Sequence, residues 1–145
     1  MQKTILKLLM ASFLGSICYL FIGWFIFDFL FGTYTEANTT HLVGFKKEAD
    51  FSLSWLYLSC LAYSSLLTFV LHHTSISSGK KSFIFSAILG VLVACMTDFY
   101  WLASSHFYND LTVVFLDIIG AALSVGMTGW FVFVLLKNKS SSINN

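Results

Sequence analysis

Apolar residues run almost unbroken through four stretches of this chain, near Ile5 to Phe31, Phe51 to Leu71, Ser82 to Ala103 and Leu111 to Leu136. Each reaches the roughly 20 residues a helix needs to cross a hydrocarbon core. The breaks between them, Gly32 to Asp50, His72 to Lys81 and Ser104 to Asp110, are polar, and the Ser/Asn-rich tail 137–145 reads as flexible. The pattern predicts an all-α membrane protein: one four-transmembrane-helix bundle over residues 1–136.

Composition sharpens this reading. The residues are 57% hydrophobic, 18% aromatic and only 10% charged, outside the range of soluble domains. With 145 residues there is room for one compact bundle, and a net charge of +1 argues against a nucleic-acid partner. The start, with Lys3 and Lys7 ahead of small residues Ala11, Ser12, Gly15 and Ser16, looks like a signal peptide. Its apolar character continues to Phe31, however, which predicts an uncleaved span. Cys18, Cys60 and Cys95 lie in apolar segments without metal or disulfide spacing and read as small packing residues.

Lysine placement sets the expected orientation. Lys3, Lys7, Lys80, Lys81, Lys137 and Lys139 fall on one side, against Lys46 and Lys47 on the other. By the positive-inside rule both termini, with the flexible tail, should be cytoplasmic. Trp24, Trp55 and Trp101 would then mark the outer boundary and Trp130 the inner one.

Three aspartates, Asp28, Asp98 and Asp117, interrupt the spans close to the same end. A carboxylate at bilayer depth costs roughly 2.5–3.5 kcal/mol, so each is a candidate functional residue. Counted at about 1.5 Å per residue, all three fall in a slab about 5 Å thick in the outer leaflet. On the third span Ala87, Gly90, Ala94 and Asp98 share a small-residue face, and on the fourth Asp117, Gly120, Ala121, Ser124 and Thr128 do the same. Asp98 and Asp117 should therefore share one neighbourhood inside the bundle. Asp28 shares its face with Trp24 and Phe21, away from the stripe Ser12, Ser16, Tyr19 and Gly23, and should reach toward the interface.

On the second span Tyr57, Cys60, Ser64, Thr68 and His72 form a polar stripe. It could serve the aspartates near Tyr57, or bond neighbouring helices as polar glue. Two carboxylates close together in low dielectric do not both ionise, so the pair should hold a proton unless a cation sits between them. Alternatively the pair shares a proton or bonds Tyr100, Thr97 and Thr112 and only fixes helix register. Candidates for proton or ligand binding are thus Asp98, Asp117, Asp28, Tyr57 and Tyr100.

Other constellations carry less chemistry. His41, His106, Glu48, Asp50 and Asp110 share the outward loops without ligand spacing, and Asp50 and Asp110 read better as caps of the helices they precede. His72 and His73 read as interfacial residues. Asn38 to Thr40 has the form of a glycosylation acceptor, relevant only in a eukaryotic secretory pathway. The first and third spans both end in Asp-Phe followed by an aromatic residue, the trace a repeated helix hairpin would leave. No metal, cofactor or catalytic motif is present, so the reading leans away from an enzyme.

Gly23-Trp24 in a first span ending at Asp28, Thr97-Asp98 with Tyr100 and Trp101, and Asp117-Ile118 with Gly120 make the layout resemble the small four-span bacterial integral membrane proteins of the domain-of-unknown-function class. That resemblance implies a bacterial cytoplasmic (inner) membrane and no transferable activity. Small multidrug exporters resemble the chain only in size: they depend on a glutamate in the first span, and Glu36 and Glu48 lie in a loop. The sequence thus predicts a membrane protein binding a proton, cation or small polar ligand at outer-leaflet aspartates, or else an accessory subunit whose aspartates serve packing. Its partners would be the lipid bilayer and, through small-residue faces such as Ala122 with Gly126 or Ser86 with Gly90, further copies or a larger membrane protein.

Overall fold

The computed structural model describes residues 2–40, 52–74 and 76–138. Helix α1 (Gln2–Trp24) passes into a π-helical segment (Phe25–Leu30), followed by a short helix α2 (Gly32–Ala37). Helices α3 (Leu53–His73), α4 (Gly79–Ser104) and α5 (Leu111–Asn138) complete the chain. Four membrane-spanning candidates result, Thr4–Leu30, Leu53–His73, Gly79–Ser104 and Leu111–Lys137. The described residues form no named strand, and the all-α, four-helix expectation holds.

Two elements depart from the expected loops and spans. The chain has no proline, so nothing forces α1 to break, yet its last turn widens: Phe31 N–H donates to the Ile26 carbonyl five residues back, at 3.1 Å. A π turn rotates everything beyond it relative to an ideal helix. It buries Ile26 at 4% exposure and sets Phe27 against Gly120 of α5, leaving Asp28 exposed. The segment after it, expected as loop, is helical over Gly32–Ala37.

Helix α5 is the hub, packed against α4 on one side and α1 on the other, while α3 lies chiefly on α1. Small residues on α4 make the first contact possible. Ser82, Ser86, Gly90, Ala94 and Asp98 recur at every fourth position, and all are buried. This ridge meets Ala121, Val125 and Gly129 of α5. A Cβ at Gly90 would lie 2.6 Å from the Ala121 carbonyl, and one at Gly129 would collide with Ser86. Helices approach this closely only when side chains are small. The same device recurs between α1 and α3, where Gly15 accommodates Ser64.

Burial is inverted relative to a water-soluble domain. Ser16, Ser64, Ser82, Ser86, Ser124 and Thr128 are completely buried, whereas Leu53, Trp55 and Met96 are more than two-thirds exposed. Lipid satisfies the apolar outer faces and offers nothing to a hydroxyl, so polar groups turn inward. Ser82 donates across to the Gly129 carbonyl at 3.0 Å, and Ser16 to the Tyr57 hydroxyl at 3.0 Å. A small apolar core of Ala11, Leu67, Leu71, Val125 and Val132 fills the half nearer the termini. Beside it, the Lys7 ammonium donates to the Leu136 carbonyl.

At the opposite end a strap closes the bundle. Thr39 and Tyr108 face each other in an antiparallel bridge; Thr40 N–H donates to the Phe107 carbonyl at 2.7 Å and Asn109 N–H to the Asn38 carbonyl at 2.9 Å. Side chains add to it, with Thr40 Oγ1 donating to Asn109 Oδ1 at 2.9 Å and the Tyr34 hydroxyl to Asp110 Oδ2 at 2.5 Å. Asp110 also caps α5 as expected, its Oδ1 accepting from Thr112 N–H at 2.9 Å. Asp50, the other expected cap, lies outside the described residues.

Candidate carboxyl site

Asp98 ends the small-residue ridge of α4 and is 2% exposed. The four-residue period that buries Ser86 and Gly90 also buries this carboxyl, because the same face meets α5 throughout. Asp117, half-buried on α5, brings its own carboxyl within hydrogen-bonding reach of Asp98. The two aspartates therefore adjoin, where the depth count and the small-residue faces place them only in the same neighbourhood.

Their partner is a residue that periodicity could not find. Tyr108, in the short segment between α4 and α5, donates its hydroxyl to Asp98 Oδ1 at 2.7 Å. The other oxygen, Oδ2, is buried with no hydrogen-bond donor among the described residues. Burial, and then the Asp98 carboxyl, push the Tyr108 phenol well above the ordinary phenol range, so it remains a donor. Its ring is fixed by edge-on packing against Phe107, centroids 4.9 Å apart, and Phe107 packs in turn on Trp101 at 5.6 Å.

A second phenol approaches from α1. Tyr19 lies near Asp117 and Cys60 and stacks on Tyr63 of α3, centroids 5.2 Å apart. Side chains of α1, α4, α5 and the α4–α5 connection thus converge around the pair.

The remaining candidates are placed elsewhere. Tyr100 is 66% exposed and packs edge-on to Trp101. Thr97 bonds back to the Val93 carbonyl, and the Thr112 hydroxyl donates to Asp110. The partner sought from Tyr100, Thr97 and Thr112 is instead Tyr108: an α-helix turns about 100° per residue, so Tyr100 faces away from Asp98. Tyr57 accepts from Ser16 and packs edge-on to Phe13, as helix-to-helix glue. Asp28 is exposed whereas Asp98 is buried, so the two Asp-Phe ends suggested by the repeat occupy unlike surroundings. His72 and His73 are exposed at the end of α3, with His73 Nδ1 2.9 Å from the Phe69 carbonyl. His106 is exposed, while His41 and Glu48 lie outside the described residues. Among the described residues no three His, Cys, Asp or Glu side chains come together as a metal site. Cys18, Cys60 and Cys95 are free thiols.

Fold and site together define an all-helical integral membrane protein with four candidate spans and a carboxyl pair between two of them, Asp98 buried and Asp117 half-buried. Comparison with models of known protein families, with curated proteins and with solved structures finds no match to this chain.

Proposed function

We propose that this protein binds and releases a proton at the Asp98–Asp117 pair. The observation that carries the reading is the state of Asp98: 2% exposed, one oxygen held by Tyr108, the other without a donor among the described residues, and a second carboxyl within hydrogen-bonding reach. An ionised carboxylate only accepts hydrogen bonds, so two facing carboxylates have nothing to exchange. One proton shared between them converts a repulsive pair into a hydrogen-bonded one. That proton belongs to the pair as a unit. A small monovalent cation would meet the same need.

The lysine asymmetry supports an orientation with both termini in the cytoplasm and the strap on the outer side. The proton would then be exchanged with the outer medium. Resemblance to the four-span bacterial class supports a cytoplasmic-membrane location.

The test is thermal unfolding of the purified protein in detergent between about pH 5 and pH 8, with and without sodium, potassium, magnesium and calcium ions, beside Asp98→Asn and Asp117→Asn. Acid stabilisation that disappears in both variants supports proton binding, and stabilisation by one ion supports the cation in its place. Curves insensitive to pH and ions, with variants merely less stable, would make the aspartates a packing device and the protein an accessory subunit.

A further inference from the structure

We propose that the strap formed by residues 38–40 and 107–109 is the gate of the carboxyl site, with Tyr108 as its latch. The inference rests on the proton-binding reading and adds how access to that site is controlled.

Tyr108 is the one described residue seen to belong to both structures. Its backbone forms the bridge with Thr39, and its phenol holds Asp98 Oδ1 at 2.7 Å. The carboxyl contact thus depends on where the strap holds the 107–109 backbone. The strap is fastened by ties between two short segments: the Thr40–Phe107 and Asn109–Asn38 backbone bonds, Thr40 Oγ1 to Asn109, and Tyr34 to Asp110. The two side-chain ties are exposed. Exposed hydrogen bonds compete with water and open at low cost, whereas the helices below are locked by interdigitated small residues. Opening is therefore concentrated in the strap. A proton or ion arriving from this end meets Tyr108 at Asp98 Oδ1, and lifting the strap withdraws the phenol and exposes the carboxyl together.

The Tyr34–Asp110 tie allows the gate to be tested without altering the carboxyl chemistry, because it touches neither Asp98 nor Tyr108 through its hydrogen bond. Labelling of Asp98 and Asp117 by a water-soluble carbodiimide with an amine, mapped by peptide mass spectrometry, reports access. Tyr34→Phe should label about tenfold faster than wild type, the size expected for loss of one charge-assisted hydrogen bond. In a Thr40→Cys/Asn109→Cys double variant, oxidation to the disulfide should slow labelling and reductant should restore it. Infrared detection of a protonated carboxyl lost in Asp98→Asn reads the proton independently. If that band is present and labelling is indifferent to both strap changes, the gate is overturned and the proton site stands. If the band is missing, the proton reading fails, while the labelling rates still decide whether the strap covers the pair.

Discussion

Tyr108 and Asp98, ten residues apart, are joined at 2.7 Å by a hydrogen bond that ties the α4–α5 connection to the buried carboxyl. Among the described residues the phenol is the one donor on Asp98, and its position is set by backbone pairing with a segment from the other half of the chain. Site and strap consequently form one mechanical unit.

Tyr108→Phe removes that donor while keeping the ring that packs on Phe107. Losing a hydrogen bond to a buried carboxyl is expected to cost about 1–3 kcal/mol. Unfolding in detergent should show the loss, and its disappearance in an Asp98→Ala background, which leaves no acceptor for the phenol, would assign it to this bond. A full loss persisting in that background would assign it to packing.

Asp117→Asn places a permanent amide donor where the shared proton is proposed. Its stability should stay close to that of wild type while its pH response flattens. Asp98→Ala, which also strands the Tyr108 hydroxyl, should be the more damaging change. Thermal melts of both variants across pH decide this.

Gly129→Ala and Gly15→Ala drive a methyl group into Ser86 and Ser64 respectively, both completely buried. Overpacking at these crossings should cost about 1–3 kcal/mol. Gly23→Ala meets nothing within 4 Å and should be neutral or stabilising by up to about 1 kcal/mol, through helix propensity. Reversal of that order in measured stabilities would contradict the packing described.

The exposed Tyr34–Asp110 tie has its own pH window. Thr112 N–H, then the Tyr34 hydroxyl, hold the Asp110 carboxyl below the ordinary carboxylate range, and Asp110 raises the Tyr34 phenol. Asp110 stabilises the strap above its unfolded value, and that contribution is lost as pH falls through its lower folded value. Tyr34, held protonated, stabilises it below the ordinary phenol value, and that share is lost as pH rises toward its raised folded value. Ultraviolet titration of wild type against Tyr34→Phe should find the phenol ionising late, and Asp110→Asn should bring it back toward normal.

Long apolar runs determined the four spans, because a helix is the one local way to satisfy backbone groups in lipid without a partner strand. The ridge through Gly90, Ala94 and Asp98 was equally legible, since a four-residue period of small residues declares a helix-contact face before any neighbour is known. That period, with the depth count, put Asp117 in the neighbourhood of Asp98. Tertiary structure alone decided the rest. The π turn at Phe25–Leu30 has no proline to announce it, and it sets Ile26 and Phe27 against the bundle while Asp28 stays exposed. Tyr108 carries no periodic signature: it sits in a seven-residue polar break counted from Ser104 to Asp110, and its direction is fixed by Thr39, far away in the chain. Local sequence can specify which face of a helix is polar, but the aim of a loop side chain follows from backbone pairings made between distant segments.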